Sequence, residues 1–290
     1  MRAVVLDSNG RPELADVAEP AGPGALVQVL ACGLCGSDVE KLGRGGTAGA
    51  VLGHEVSGVL EGGEHVTVMH RVPCGSCDRC RAGHESTCEE FRQLRIDPGG
   101  FAERVRATHV VPVGALGLDA VWVEPVGCIL RAAERVPAGS VLVVGCGAVG
   151  RLWVQVLRAR GNAVVATDVR PDRLEGAERL GARVDDGPVH AAVVTTAGGL
   201  NDALGRVEPG GIVLVFAAPP EEVPVSLDTV YRRELQLMGS RSASPAHFAA
   251  AVAVIPELEL PEVTTLPLDR FDEGVELYRR GDALKVVFTP

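Results

Sequence analysis

Aromatic side chains are scarce in this chain of 290 residues, in which Phe, Trp and Tyr together make up 3%. Hydrophobic residues nevertheless make up 46% of the sequence, so most of the apolar mass is Val, Leu and Ala. Such a composition favours a core of helices packed on sheets over a core of stacked aromatic rings. A chain of this length has room for two domains of ordinary size.

Positive charge is also in short supply, because the formal net charge is −10 at pH 7. We therefore expect no nucleic-acid partner, since phosphate binding needs a basic face. No apolar run approaches the length of about 18 residues that crosses a membrane, so no membrane partner is expected. The apolar run within residues 1–7 is too short for a signal peptide and is typical of a first strand. These absences predict a cytoplasmic protein.

The chain divides into two segments that differ in residue composition and in predicted secondary structure. Residues up to about 124 are rich in Gly, Pro and Val and contain short apolar runs, which predict a compact, mostly β domain. From 126 to 255, predicted strands alternate with predicted helices, a rhythm typical of a doubly wound parallel sheet of the α/β class. The predicted strands are 141–144, 163–167, 191–195, 212–217 and 235–239, and the predicted helices are 151–160, 173–180, 199–207 and 245–255.

The tail after residue 258 contains a predicted short helix near 272–280 and a predicted strand at 284–289. We interpret it as returning to the first domain. The predicted domains are therefore 1–125 together with 257–290, and 126–256.

A glycine-rich turn follows the apolar strand 141–144. Gly145, Gly147 and Gly150 have the spacing G-x-G-x-x-G, and a helical pattern comes after them. Gly145 permits a tight turn, Gly147 lets a pyrophosphate approach the backbone, and Gly150 lets the helix pack closely on the strand. The helix N-terminus then faces the phosphate charge. The motif predicts a dinucleotide site, against the plainer interpretation of an ordinary βαβ unit.

Asp168 ends the second apolar run, 18 residues after Gly150. A carboxylate there can accept both ribose hydroxyls of NAD and would repel the 2′-phosphate of NADP. Arg170 and Arg173 lie nearby, which leaves some tolerance of NADP open.

Four of the eight cysteines fall within 15 residues, at Cys74, Cys77, Cys80 and Cys88. In a reducing compartment, cysteines are interpreted first as metal ligands or buried thiols, and only then as disulfides. Four thiolates suit a closed tetrahedral Zn²⁺ site, and an iron–sulfur cluster is the main alternative.

A second group of candidate ligands is Cys35, His54 and Glu55. A thiol, an imidazole and a carboxylate are typical of a catalytic zinc that keeps one position open. Glu124, before Pro125, is a candidate for the remaining acidic ligand. The plainer alternative is a packed cysteine and a surface His-Glu pair.

Together these motifs resemble the zinc-containing medium-chain dehydrogenases, the superfamily of alcohol, polyol, sugar and threonine dehydrogenases. The matching segments, in chain order, are 35–38, 53–55, the four-cysteine lobe, 99–103, 124–125, 145–150 with Asp168, and 284–290. The resemblance covers essentially the whole chain. It implies a Rossmann NAD-binding domain beside a mostly β, GroES-like catalytic domain.

The resemblance also implies roles for single residues. Cys35 and His54 would bind the catalytic zinc, Glu55 would be an adjacent or exchangeable ligand, and Glu124 would be the acidic ligand of the polyol branch, with Cys128 in reserve. Asp38 would orient His54, Ser37 would take the proton of the substrate hydroxyl, and Lys285 would lie near the cofactor pyrophosphate. The implied cofactor-binding residues are Gly145, Gly147, Ala148, Val149, Gly150, Asp168, Arg173 and Lys285. The lobe Cys74, Cys77, Cys80 and Cys88 would hold a structural zinc.

The sequence departs from the family at several places. Glu40 stands where many relatives have a histidine that passes the proton to solvent, so a relay through its carboxylate is the corresponding expectation. The segments 41–51, 64–73 and 183–190 are short for the family and would shape the substrate pocket.

The leading hypothesis is a zinc-dependent enzyme that transfers hydride between NAD and a secondary alcohol of polyol, sugar or cyclitol type, or the corresponding ketone. The alternatives are a non-catalytic zinc- and nucleotide-binding protein and an NADPH-dependent biosynthetic ketone reductase. We also expect a homodimer, formed through the outer strand of the nucleotide sheet near 212–217 or 235–239.

Overall fold

The computed structural model describes residues 1–43, 48–217 and 222–290. Residues 44–47 of the shortened segment 41–51 therefore lie outside the described residues. The chain folds as two compact units, the first made of Met1–Gly127, Ser242–Glu257 and Glu262–Pro290, and the second of Cys128–Arg241 and Leu258–Pro261. The predicted boundaries stay a prediction, and they differ from these units mainly over 242–256, which packs with the first unit.

The described residues form strands β1 to β15 in chain order. They are Arg2–Leu6, Pro12–Asp16, Ala25–Gly33, Glu55–Leu60, His65–Val68, Ile96–Asp97, Arg104–Ala107, Val110–Pro112, Ser140–Val144, Ala163–Thr167, Val189–Val194, Val207–Val215, Gln236–Gly239, Val263–Pro267 and Lys285–Thr289. Helices α1 to α9 are Gly36–Lys41, Asp78–Arg81, Val123–Ala133, Ala148–Ala159, Pro171–Arg179, Leu200–Arg206, Leu227–Arg232, Pro245–Val254 and Phe271–Arg280. Short 3₁₀ segments occur at Glu85–Thr87, Glu90–Arg92, Gly114–Trp122, Ala197–Gly199, Ile255–Glu257 and Leu268–Arg270. None of the helices in the described part of the chain is long and apolar enough to span a membrane.

The first unit is built on a sheet with the strand order β14-β15-β3-β4-β5-β8, to which β6 and β7 are joined through β3. The last strand, β15, pairs antiparallel with β3, as the predicted return of the tail requires. Three aromatic rings pack together in the core of the first unit. Phe271 stacks on Phe288, and Phe101 makes edge contacts with both. The tail is therefore part of the core of the first unit.

The second unit is a five-stranded sheet in the order β10-β9-β11-β12-β13, and every pair in it is parallel. The chain leaves β9 toward β10 and then crosses back to β11 on the other side of β9. Because such crossovers are right-handed, the reversal at β9 puts the connecting helices on both faces. Residues 141–143 of β9 are fully buried, as the apolar run predicts. The predicted doubly wound parallel sheet is confirmed.

Some elements differ from the sequence-based expectations. Helices α3 and α7 and strand β14 were not predicted; α3 contains Pro125 and Gly127, which normally indicate a break. Pro125 is tolerated there because it lies in the first turn, where a backbone N–H would have no hydrogen-bond acceptor within the helix. The alternative in which 212–217 forms an outer strand is wrong, since β12 lies between β11 and β13. β13 is the outer strand on that side of the described sheet.

Candidate metal centres and nucleotide turn

The structure brings the four cysteines of the predicted lobe together. The Sγ atoms of Cys74, Cys77, Cys80 and Cys88 all lie within 4.8 Å of one another, with Cys77 and Cys80 3.5 Å apart and Cys74 and Cys80 3.9 Å apart. A tetrahedral zinc with Zn–S bonds of about 2.3 Å needs sulfur–sulfur separations of roughly 3.8 Å. All eight cysteines are free thiols, so the lobe is not a disulfide knot. Its donor set fits one zinc ion better than a larger iron–sulfur cluster.

Backbone hydrogen bonds favour the thiolate form of one cysteine in this lobe, which is the form that binds a cation. Hydrogen bonds from the backbone of Ser76 and Cys77 lower the pKa of Cys74 to about 6. Burial acts in the opposite direction on Cys80 and raises its pKa to about 12. One thiol therefore ionises readily and another resists ionisation, a conflict that a divalent cation would resolve by stabilising both thiolates.

Strand pairing assembles the second group, Cys35, His54 and Glu55. Gly33 of β3 is the register partner of Glu55 in β4, so Cys35, two residues beyond Gly33, comes beside the His-Glu pair. One ligand atom from each of the three residues lies within 4.8 Å of the others. A thiol, an imidazole and a carboxylate at this spacing fit a zinc ion with a position left for substrate.

Asp38 holds the ring of His54. Its carboxylate is completely buried and lies 3.3 Å from His54 Nδ1. It also accepts hydrogen bonds from the backbone N–H groups of Cys35 at 3.2 Å and Gly53 at 3.4 Å. Burial alone would lower the pKa of His54, but Asp38 outweighs burial and raises it well above its ordinary value. The contact leaves Nε2 as the ring nitrogen for a metal.

Glu55 is paired with Lys285 inside the first unit. The Lys285 ammonium group donates to the Glu55 carboxylate and, at 3.3 Å, to the carbonyl of Leu34, and it lies 5.2 Å from the centre of the Trp122 ring. Burial opposes the charge of Lys285, yet Glu55 raises its pKa above the usual value. The structure thus places Lys285 beside a candidate metal ligand, and its proposed contact with the cofactor pyrophosphate stays a prediction.

The other candidates lie at different distances from this group. Ser37 is close, because its hydroxyl donates to Cys35 Sγ at 3.3 Å. Glu40 is half-buried on the same helix, α1. Glu124 and Cys128 are buried on α3, and neither belongs to the three-residue group found among the described residues. Their roles at the metal, and a proton relay through Glu40, stay predictions.

Sequence reasoning missed two residues near the group. The ring of His70, two residues after β5, lies 4.6 Å from that of His54, and its pKa is held well below the usual range by burial and by the nearby His54 and Arg71. The hydroxyl of Tyr278 on α9 lies so close to Gly36 that a Cβ there would be 2.8 Å away. Each belongs to a segment without a motif, so only the tertiary structure brings it to the site.

The glycine-rich turn in the second unit has the conformation that its spacing predicts. Gly145 has φ +92°, where glycine is favoured, and a Cβ on Gly150 would collide with the carbonyl oxygen of Gly145. Helix α4 begins at Ala148 with Gly147 as its N-cap, so Ala148, Val149 and Gly150 form its first turn.

Asp168 lies against this turn. Its carboxylate accepts hydrogen bonds from the backbone N–H of Cys146 at 2.6 Å and of Arg170 at 2.8 Å. The guanidinium of Arg173 comes within 3.9 Å of the position that a Cβ of Gly147 would take. The second unit therefore brings together the glycine turn and the acidic residue proposed to bind ribose.

Comparisons with known proteins agree with this arrangement. A family model for the alcohol dehydrogenase GroES-like domain matches residues 22–115. The D-altritol 5-dehydrogenase of Agrobacterium fabrum is 31% identical, over 83% of this chain and 84% of the relative. An alcohol dehydrogenase of Geobacillus stearothermophilus is 30% identical over 97% of each chain. The alignment with the latter has 327 positions, more than the 290 residues of this chain, so that relative has segments that this chain lacks.

The fold is also shared with solved structures. The alcohol dehydrogenase TADH from Thermus sp. ATN1 superposes with a TM-score of 0.84 at 26% identity, over 100% of both chains. Sequence relatives, domain match and fold lead to the same conclusion: the chain belongs to the zinc-containing medium-chain dehydrogenases.

Proposed function

We propose that this chain is a zinc- and NAD-dependent dehydrogenase that oxidises a secondary alcohol of polyol, sugar or cyclitol type. The observation that carries the proposal is the close grouping of Cys35, His54 and Glu55, whose ligand atoms lie within 4.8 Å of one another. The name of the Agrobacterium relative, D-altritol 5-dehydrogenase, supports a polyol substrate.

Cys35 and His54 would hold the catalytic zinc, with Glu55 as a third or exchangeable ligand. Zinc, when bound, supplies Lewis-acid chemistry that polarises a substrate oxygen and makes a hydroxyl proton easier to remove. Asp38 fixes the ring orientation of His54 through the 3.3 Å contact with Nδ1. The Ser37 hydroxyl, which lies 3.3 Å from Cys35 Sγ, would take the substrate proton. Lys285 keeps Glu55 paired, which reduces the negative charge offered to the metal.

We further propose that a second zinc occupies the lobe of Cys74, Cys77, Cys80 and Cys88, where it would have no position left for substrate. The chain would then carry two zinc ions, one for chemistry and one for folding.

For the cofactor we propose NAD over NADP, because Asp168 directly follows the second strand of the nucleotide unit and lies beside the turn. A carboxylate there hydrogen-bonds ribose hydroxyls and repels a 2′-phosphate. The guanidinium of Arg170 forms an ion pair with Asp172 at 3.0 Å, and this pair competes with any contact between Arg170 and the 2′-phosphate of NADP.

The test is turnover of a panel of polyols and aminocyclitols with NAD and with NADP. We expect the wild type to prefer NAD in kcat/KM. Asp168→Asn removes the charge and keeps one acceptor for the turn, and it should reduce that preference by about tenfold or more, a loss of about 1.4 kcal/mol.

Asp228→Asn is the matched control, since it removes the same charge from an exposed position on α7, where the partner is Arg232, and should leave the preference unchanged. A wild type that prefers NADP would contradict the ribose argument. Absence of turnover with every alcohol would favour the non-catalytic binding protein.

We also propose a homodimer formed through β13, the outer strand on its side of the nucleotide sheet. The outer edge of such a strand can extend a sheet into a second copy. Light scattering on the purified protein should give twice the mass of one 30.2 kDa chain, whereas the mass of a single chain would contradict the dimer.

A further inference from the structure

A serine, a histidine and a glutamate, which we call the Ser140 group, meet at one edge of the nucleotide sheet. Ser140 is the first residue of β9, His190 is the second of β11, and Glu208 is the second of β12. These strands are parallel neighbours, so their first residues lie side by side at the same edge. The glycine turn begins at Gly145, beyond the other end of β9, roughly 16 Å away at a rise of about 3.3 Å per residue. The Ser140 group is therefore separate from the nucleotide turn.

The hydrogen bonds of the Ser140 group fix which ring nitrogen of His190 can act as a base. His190 Nδ1 accepts a hydrogen bond from the backbone N–H of Ser140 at 3.1 Å, so it carries no proton itself. The Ser140 hydroxyl, whose oxygen lies 2.8 Å from the same nitrogen, therefore donates to it. The proton of the neutral ring is then on Nε2, which lies 3.9 Å from the Glu208 carboxylate. A hydroxyl bound to a base, with a carboxylate on the far side of that base, is the arrangement that activates a serine nucleophile.

The ring of His190 is held in place and is open to solvent. The backbone N–H of His190 donates to Ser140 Oγ at 3.2 Å, which ties the two residues together a second time. Gly139 leaves room for the ring, because a Cβ there would lie 2.9 Å from it. The side chains of His190 and Glu208 are 56% and 44% exposed, so a small reagent can approach the group from solvent.

We propose that Ser140 is an acylation site, at which an activated ester or thioester transfers its acyl group to the serine oxygen. Ser140 Oγ attacks the acyl carbonyl carbon while its proton moves to His190 Nδ1. The bond from that carbon to the leaving oxygen or sulfur then breaks, and His190 returns the proton to the leaving group. The products are an acylated Ser140 and a free alcohol or thiol, with no change of oxidation state. The Glu208 carboxylate stabilises the positive charge that His190 carries between the two proton transfers.

Two other serines provide internal controls. Ser244 also contacts a histidine, with its Oγ 2.6 Å from His247 Nδ1, but Ser244 is buried, so an acyl donor does not reach it. Ser226 is exposed, but its Oγ contacts the backbone N–H and the hydroxyl of Thr229. Ser140 combines a histidine base with access from solvent, and it should therefore react faster than either control.

The experiment treats the full chain with p-nitrophenyl acetate and follows acetylation of each serine by peptide mapping with mass spectrometry. We expect an acetyl group on Ser140 before any appears on Ser226 or Ser244. His190→Gln removes the base and should slow acetylation of Ser140 by about 100-fold. Glu208→Gln keeps the contact between Ser140 and His190 and should slow the reaction to a smaller extent. Each variant is compared with the wild type in Tm, so that a loss of folding is recognised.

The outcomes separate an activated serine from unspecific acetylation. Acetylation of Ser140 that depends on His190 supports the inference. A wild type in which Ser140 stays unmodified, or reacts no faster than Ser226, would overturn it. Equal rates at Ser140 in the wild type and in a folded His190→Gln variant would overturn it as well. If His190→Gln does not fold, the Glu208→Gln variant decides, because an unchanged rate there would contradict a role for the group.

Discussion

Replacing Cys35 by alanine is expected to lower kcat/KM for alcohol oxidation by at least about 10³-fold, which corresponds to about 4 kcal/mol of transition-state stabilisation. The reason is that Cys35 supplies the thiolate of the three-residue metal group, and the remaining imidazole and carboxylate hold a divalent ion less tightly. The measurement is steady-state kinetics with NAD on a polyol that the wild type oxidises, together with the zinc content of the variant.

The matched control is Cys32→Ala, three residues earlier on β3 (Ala25–Gly33). Cys32 is buried and lies outside the metal group, with its Sγ 3.8 Å from the carbonyl of Gly33. This variant should keep its zinc and its turnover. NAD binding, measured by calorimetry, should be unchanged in both variants, because the glycine turn lies in the other unit. A Cys35→Ala protein that retains full activity would contradict the assignment of the catalytic metal.

Loss of the lobe metal is expected to have the largest effect on stability. The lobe has a small apolar core of its own, made of Cys80, Cys88 and Phe91 with Cys77 packed against it. A segment with so little to bury depends on its metal to fold, and structural zinc sites supply folding free energy directly. Cys80→Ser should therefore remove one zinc, destabilise the protein by several kcal/mol and lower Tm by roughly 10 °C.

The control for the lobe is His84→Ala, an exposed position between Cys80 and Cys88. It should keep both the zinc and the Tm of the wild type. A Cys80→Ser variant that melts like the wild type, with unchanged zinc content, would contradict a structural metal in the lobe.

Local patterns in the sequence predicted the glycine turn and the five strands of the nucleotide unit. The turn at 145–150 requires glycine for reasons of backbone conformation and close approach, and both requirements appear in the structure at Gly145 and Gly150. Apolar runs without alternation indicated strands buried on both faces. The parallel order of the sheet follows from this alternation of strands and helices.

The metal group was predictable in its ligands but not in its surroundings. Cys35, His54 and Glu55 carry recognisable motifs, and pairing of β3 with β4 brings them together. The partner of Glu55 could not be read from the sequence, because Lys285 lies 230 residues away and reaches it only through the return of β15 to β3. His70 had no local signal, since a single histidine after a strand is usually a packed or solvated residue.

Helix α3 shows how tertiary context overrides local signals. Its sequence contains a proline and a glycine, yet it is helical from Val123 to Ala133 and its first turn carries the buried Glu124. Propensity is a weak guide where burial decides the outcome.

The central claim is that Cys35 and His54 hold a zinc ion that is separate from the zinc of the four-cysteine lobe. Native mass spectrometry of the wild type and Cys35→Ala tests it directly by counting zinc ions per chain. We predict two in the wild type and one in the variant. One zinc in the wild type, or two in Cys35→Ala, would contradict the account.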